Sequence, residues 1–341
     1  MMRIVRYLAI TLLSISLILG LSRTFYYELA IADILPDDYQ YGDLYRFTNL
    51  ASFKAIRQIC SEKLAAHSPK IPVALYAIGD SFMEPGSVDA ADFPVQQYAY
   101  THWNDQDSIQ LNPSLKNVLL IESVERHFRE HLEKDITNII VSDHSVKPID
   151  RKTHSYWEDF KTFFTGPTAI RQVLPEERLD NILFNWPFTL KLREWKAELT
   201  LKLFNRIHPM TSLSTDGHYL LLNLDTDSTL INSNFNPVSE EEINHMVNFL
   251  NDSYERYHQQ GFEEIYLSII PNKTTIVAPN MGRYNHLIER IQANKRLKMK
   301  VIDAYSIIKP LGSAAYQPGD SHWTCDTRDR WLRAVNALLP N

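Results

Sequence analysis

Glycine and cysteine are both scarce in this chain: 10 Gly and 2 Cys in 341 residues, against 17 Pro. No G-x-G-x-x-G and no G-x-x-x-x-G-K-[ST] occurs, which removes the commonest dinucleotide and nucleoside-triphosphate cradles. Two cysteines cannot build a disulfide scaffold or a Cys-rich zinc module. Cys60 and Cys325 are left as one disulfide or as two free thiols. There is no H-E-x-x-H or comparable ligand spacing, so neither a metal nor a cofactor is expected. Basic charge is not in excess either. Lys and Arg number 35 against 41 Asp and Glu, a net charge of −6 with a pI near 6.1, which argues against a nucleic-acid partner. Hydrophobic residues at 44% and charged residues at 22% are the proportions of a folded chain rather than a disordered one.

One long uncharged run is present. After the basic start with Arg3 and Arg6, residues 7–21 read YLAITLLSISLILGL. A basic stretch followed by an apolar run is the pattern of an export signal or a signal anchor. The run is short for a full span, which needs ~20 residues. No small-x-small cleavage site follows at Ser22, Arg23 and Thr24. Residues 1–24 are therefore expected to be an uncleaved anchor with a cytoplasmic N-terminus. The positive-inside bias of Arg3 and Arg6 agrees, and Asp33, Asp37 and Asp38 beyond the segment do not oppose it. The rest of the chain would then lie on the periplasmic side of a bacterial inner membrane. A cleaved signal peptide is the alternative.

Short apolar runs alternate with helical stretches. Residues 73–78 (VALYAI), 118–121, 136–141, 265–270 (IYLSII) and 299–302 read as buried strands. Residues 239–260 read as the clearest helix. Ser239 and Glu242 make a capping box, Ile243, Met246, Val247, Leu250, Tyr254 and Tyr257 form the stripe, and Gly261 sits at the stop. A second amphipathic stretch covers 284–293, and a final helix runs from about Cys325 to Leu339. Such alternation predicts an α/β fold with a parallel sheet covered on both faces. Between about 150 and 210 the strand pattern stops and a helical insertion rich in Trp and Phe is expected.

Two blocks carry candidate chemistry. Gly79-Asp80-Ser81-Phe82 directly follows the first strand, and a serine at the carboxyl end of an early parallel strand sits where open α/β sheets place reactive groups. A helical turn starting at Ser81 would aim backbone N–H groups at a developing oxyanion. The competing reading makes Ser81, with Glu84, a simple helix cap. The second block is Asp320-Ser321-His322-Trp323, just before the last helix. A serine hydroxyl needs a positioned base; His322 can supply it, and Asp320 can orient the imidazole. Here the competing reading is a polar cap, with Thr324 or Asp326 starting the helix. Asp216-Gly217-His218 repeats the D-x-H spacing, but ahead of an apolar run it reads as a hairpin turn. Asp143-His144 and His102-Trp103 lack a matching context. Glu122, Glu125 and Arg126 follow the strand at 118–121 and either line the cleft or lie on a solvated helix face.

Together these blocks resemble the SGNH/GDSL hydrolase superfamily. The closer likeness is to the SGNH-like O-acetyltransferases of exopolysaccharide export, the alginate O-acetyltransferase-like group. Those carry a GDSF-type block, a D-x-H-W block, a DG-containing hairpin and a P-x-K turn. Here the hairpin corresponds to Asp216-Gly217-His218-Tyr219-Leu220-Leu221 and the turn to Pro271-Asn272-Lys273. The order differs from the alginate group, because the serine block comes first, as in ordinary SGNH esterases. The separate Gly and G-x-N-D blocks are missing. The resemblance implies a flavodoxin-like three-layer fold over residues 25–341 and acyl transfer through Ser81, His322 and Asp320. It further implies a polysaccharide acceptor and an acetyl donor handed over by a multi-pass membrane acyltransferase. Gly79, Asp80, Asn104, Asn112, Asn272 and Trp323 are the candidates for oxyanion and substrate contacts. An esterase that uses water as acceptor, and a catalytically silent carbohydrate-binding scaffold, are the other readings.

The insertion holds a last signal. Phe188, Leu192, Trp195, Leu199 and Phe204 fall near one helical face, among Lys191, Arg193, Lys196, Lys202 and Arg206 against Glu194 and Glu198. Trp157, Phe160, Phe163, Phe164, Phe184 and Trp186 adjoin it. A basic amphipathic helix suits a membrane surface or a partner, whereas ordinary core packing would bury the stripe.

Overall fold

The computed structural model describes residues 2–22, 26, 40–142 and 175–340. Asp33, Asp37 and Asp38, Asp143-His144, and Trp157, Phe160, Phe163 and Phe164 lie outside these. The chain divides into two compact units. The first takes residues 1–41, 48–56 and 147–207, so the helical insertion is grouped with the N-terminal helix rather than with the sheet. The second takes 42–47, 57–146 and 208–341.

In the first unit, α1 (Met2–Leu21) packs against α4 (Pro175–Phe184), which is followed by α5 (Pro187–Phe204). Over Arg3–Leu21, α1 has a mean hydropathy of 2.1 and is long and apolar enough to be an anchor or a signal sequence. Pro187 opens α5, where its missing N–H is no loss, and Asn205 closes it in the left-handed conformation at φ 49°.

The second unit is a five-stranded parallel sheet in the order β2-β1-β4-β8-β9: Val95–His102, Ile71–Gly79, Lys116–Val124, Glu264–Ile270 and Lys300–Ile302. Helices α2 (Asp43–Thr48) and α3 (Glu125–His131) flank it near the site described below. The side-chain period of two sends alternate residues of one strand to opposite faces. Tyr76, Ile78, Leu119 and Ile121 pack on one face with Val247, Leu250 and Tyr257 of α7 (Glu240–Gln259). Leu75, Ala77, Val118 and Leu120 pack on the other with Trp331, Leu332 and Val335 of α11 (Cys325–Leu338). Burial on both sides is why these strands read as continuous apolar runs.

At α7 the Ser239 hydroxyl accepts the Glu242 N–H at 3.1 Å, and Gly261 takes φ 107° just past the end. The expected hairpin forms between β6 (Thr211–Leu213) and β7 (Leu220–Leu222), with Gly217 at φ 70°. Short helices α6 (Asn223–Thr226), α8 (Lys273–Val277), α9 (Leu287–Gln292) and α10 (Ala304–Ile308) complete the chain order. Two strand expectations need correction. β5 is only Ile139–Val141 and pairs with β3 (Asp107–Ile109) in a separate two-stranded sheet, not in the central one. β2 went unread because it is an edge strand in which the polar Gln96 and Gln97 break the apolar run and most residues are only half-buried.

Candidate functional site

The sheet order reverses direction between β1 and β4. In an open parallel sheet, the crevice at the carboxyl ends of the two strands flanking that reversal is the preferred binding place. Gly79 ends β1 there, and Glu122, Ser123 and Val124 end β4.

Ser81 does not begin a helix; residues 80–83 form a turn. Asp80 builds it. One carboxylate oxygen accepts the Phe82 N–H at 3.0 Å, the other accepts the Val124 N–H at 2.6 Å, and the Met83 N–H donates to the Asp80 carbonyl at 3.0 Å. This ties the turn to the neighbouring strand and engages both carboxylate oxygens of Asp80. Gly79 has a steric role: a Cβ there would come within 2.9 Å of Glu122 Oε2 and 3.0 Å of Met83 Sδ. Glu122 Oε2 accepts the Asp80 N–H at 2.9 Å. Burial, and then the charge of Asp80, push the Glu122 carboxyl well above its ordinary range.

Ser81 Oγ lies 2.9 Å from His322 Nε2, and His322 Nδ1 lies 2.5 Å from Asp320 Oδ1. Asp320 also accepts the His322 backbone N–H at 2.8 Å, and its second oxygen faces Arg57 Nε at 3.6 Å. Burial alone would raise the Asp320 carboxyl, but the hydrogen bond and charge of His322, with Arg57 beyond, hold it far below its usual value. Burial alone would lower His322; the hydrogen bond and charge of Asp320, with Asp43 behind, outweigh this and raise it above 6.5. An ionised Asp320 fixes the proton on Nδ1, so Nε2 is free to accept the serine proton. Phe82 packs on the imidazole at 4.9 Å between ring centres and limits its tilt.

Asp43 and Lys273 support the 317–322 loop. Ser321 donates through its N–H and hydroxyl to the two oxygens of Asp43, at 2.8 and 2.5 Å. Lys273 Nζ donates to the carbonyls of Gln317, Pro318 and Asp320 at 2.7–3.1 Å, and burial lowers its pKa to about 8. Asp43 carried no sequence signal, because its motif partners lie nearly 280 positions away. The ligating atoms of Asp43, Asp320 and His322 fall within 4.8 Å of one another, a spacing that also suits a cation. Most of those atoms are already engaged in the hydrogen bonds just described.

The remaining candidates are placed as follows. Asn112 precedes β4, at its amino end, the far end of the sheet from Ser81. Asn272 is fully buried; it accepts the Arg126 N–H at 3.0 Å and donates to Asn234 at 3.1 Å, so it ties α3 to α8. Trp323 is buried edge-on to Phe82 and close to Trp331, in the core and not in the crevice. Asn104 is exposed beyond the end of β2, and its N–H donates to His102 Nδ1. Glu125 and Arg126 are buried, not solvated: Glu125 accepts the Asn272 N–H and the Thr275 hydroxyl, and Arg126 pairs with Asp225 at 3.0 Å. Among the described residues no acceptor takes the Ser81 N–H, so the turn leaves it open to an incoming acceptor.

Cys60 and Cys325 form a disulfide with Cα atoms 5.5 Å apart. It fastens the stretch that carries Arg57 to the start of α11, beside His322. No protein-family model, no curated protein and no solved structure matches this chain.

Proposed function

We propose that this protein is a membrane-anchored, extracytoplasmic serine acyltransferase of SGNH type that moves an acetyl group onto a hydroxyl of an exported polysaccharide. The observation that carries the reading is the Ser81–His322–Asp320 relay, with nucleophile-to-base and base-to-acid distances of 2.9 and 2.5 Å. The sheet order, counted within the sheet as 2-1-3-4-5, is the flavodoxin-like one, and the relay lies at its switch point. The disulfide fits an oxidising compartment and α1 fits an anchor; together they support the extracytoplasmic assignment.

The reaction runs in two halves. His322 Nε2 takes the Ser81 proton as Oγ attacks the donor ester carbonyl, and the Ser81 N–H receives the oxyanion. The tetrahedral intermediate collapses, and the imidazolium gives its proton to the departing alkoxide. Ser81 is then acetylated. In the second half His322 deprotonates the sugar hydroxyl, which attacks the acyl-enzyme, and the proton returns to Ser81 as the ester is released. The negative charge of Asp320 stabilises the imidazolium in both halves.

The test uses the full-length chain in detergent. A fluorophosphonate probe is expected to label the native protein stoichiometrically and to leave Ser81→Ala unlabelled. Absence of label on the native protein would return the chain to the silent scaffold reading. With an acetyl ester donor, acetylated oligosaccharide marks a transferase, and free acetate alone, with acceptor present, marks an esterase.

A further inference from the structure

Helix α5 is turned the wrong way round for core packing. Its buried side chains are Leu190 and Glu194, with Ala197 and Leu201 half-buried or nearly so on the same side. At ~100° per residue, Phe188, Leu192, Trp195, Leu199 and Leu203 fall on the opposite face. Those five are exposed, Phe188 at 74%, Trp195 at 66% and Leu203 at 69%. The inward acid is not idle: Glu194 is paired with Lys54 at 2.7 Å and with Lys191 at 3.4 Å. Lys191 and Lys202 flank the apolar stripe on one side and Lys196 on the other, all exposed.

The same unit holds the apolar helix α1. α4 runs back along the carboxyl half of α1: Leu179 and Leu183 line one cavity with Leu13 and Leu17, and Arg178 donates to the carbonyls of Gly20 and Leu21 at 2.8 and 3.1 Å, satisfying acceptors a helix end leaves open. Gly20 makes this approach possible, because a Cβ there would lie 2.5 Å from Leu179 Cδ2. Only two residues separate α4 from α5. A helix in the unit that carries the apolar span, with aromatic and aliphatic side chains outward and lysines on both margins, matches the bilayer interface in pattern and in charge.

We propose that α5 lies on the surface of an anionic bilayer, with Phe188, Leu192, Trp195, Leu199 and Leu203 in the headgroup–acyl boundary and Lys191, Lys196 and Lys202 at lipid phosphates. The proposal rests on the reading of α1 as a membrane anchor. Its function would be to hold α5 against the membrane from which an acyl donor is delivered.

The test reconstitutes the full chain in nanodiscs containing phosphatidylglycerol, with phosphatidylcholine brominated on its upper acyl carbons as quencher. Native tryptophan fluorescence is expected to be quenched, and Trp195→Phe is expected to lose at least half of the bromine-dependent quenching. Replacing phosphatidylglycerol by phosphatidylcholine, or combining Lys191→Glu, Lys196→Glu and Lys202→Glu, should reduce the quenching at Trp195 severalfold. Equal quenching in native protein and Trp195→Phe overturns the proposal and returns the face to a protein partner or a second copy. Alkaline extraction of the same samples reports on α1 alone. Protein that stays with lipid yet shows no Trp195 quenching defeats the surface and not the anchor; protein that is extracted defeats the anchor.

Discussion

Ser81, His322 and Asp320 depend on one another, so single substitutions should not divide their effect evenly. Ser81→Ala and His322→Ala are each expected to lower acyl transfer by ~10⁴-fold or more, because each removes the unit, while Asp320→Asn should lose less. Steady-state rates on an acetyl ester measure this. The raised His322 pKa sets the pH profile. Only neutral imidazole accepts the serine proton, so kcat/KM should rise with pH through a value above 6.5 and level off beyond it. Asp43 is among the groups that raise it, after Asp320. Asp43→Asn removes that negative charge, lowers the His322 pKa, and is expected to move the acidic limb to lower pH. An unshifted limb with a lower plateau would restrict Asp43 to holding Ser321.

At the level of elements, the start of α3 and the start of α8 are joined beneath the crevice by Glu125, Asn272 and Thr275. Burial raises the Glu125 carboxyl to about 7, against the lowering effect of the Asn272 and Thr275 donors. The folded protein therefore keeps a proton that the unfolded chain releases near 4.5. Stability from the protonated form is complete below about pH 4.5 and is lost as pH rises through about 7. Glu125→Gln, which cannot ionise, is expected to flatten that decline. Thermal melts of both proteins at pH 5 and pH 8 should show a smaller drop in Tm for the variant.

For the whole molecule, the Cys60–Cys325 bond spans 265 residues of sequence. A loop of that size restricts the unfolded chain strongly, and its loss is expected to cost about 2–5 kcal/mol. Dithiothreitol, or the double substitution Cys60→Ser with Cys325→Ser, should lower Tm by several degrees. Activity should fall with it, since the bond holds the stretch carrying Arg57, which faces Asp320 at 3.6 Å. Full retention of both stability and activity would show that the bond contributes nothing beyond packing.

Patterns local in the chain determined much of this protein. The apolar runs at 73–78, 118–121 and 265–270 read as buried strands because they are short, rich in β-branched and aromatic residues, and alternate with amphipathic stretches. Ser239 and Gly261 marked the ends of α7 with chemistry that acts within four residues, and Asp216-Gly217 made a turn on the same scale. The serine and histidine blocks were legible as candidates from residue type and from their place after strands and before a helix. Only the tertiary structure decided what required contacts between distant segments. It brought Ser81 to His322 across 241 positions, paired Asp43 with Ser321, joined Cys60 to Cys325, and turned Asp80, Asn272 and Trp323 from candidate substrate contacts into supports. It also decided which way α5 faces. An amphipathic pattern specifies that one face differs from the other, whereas burial against a core or against something outside the chain depends on what the fold leaves beside it.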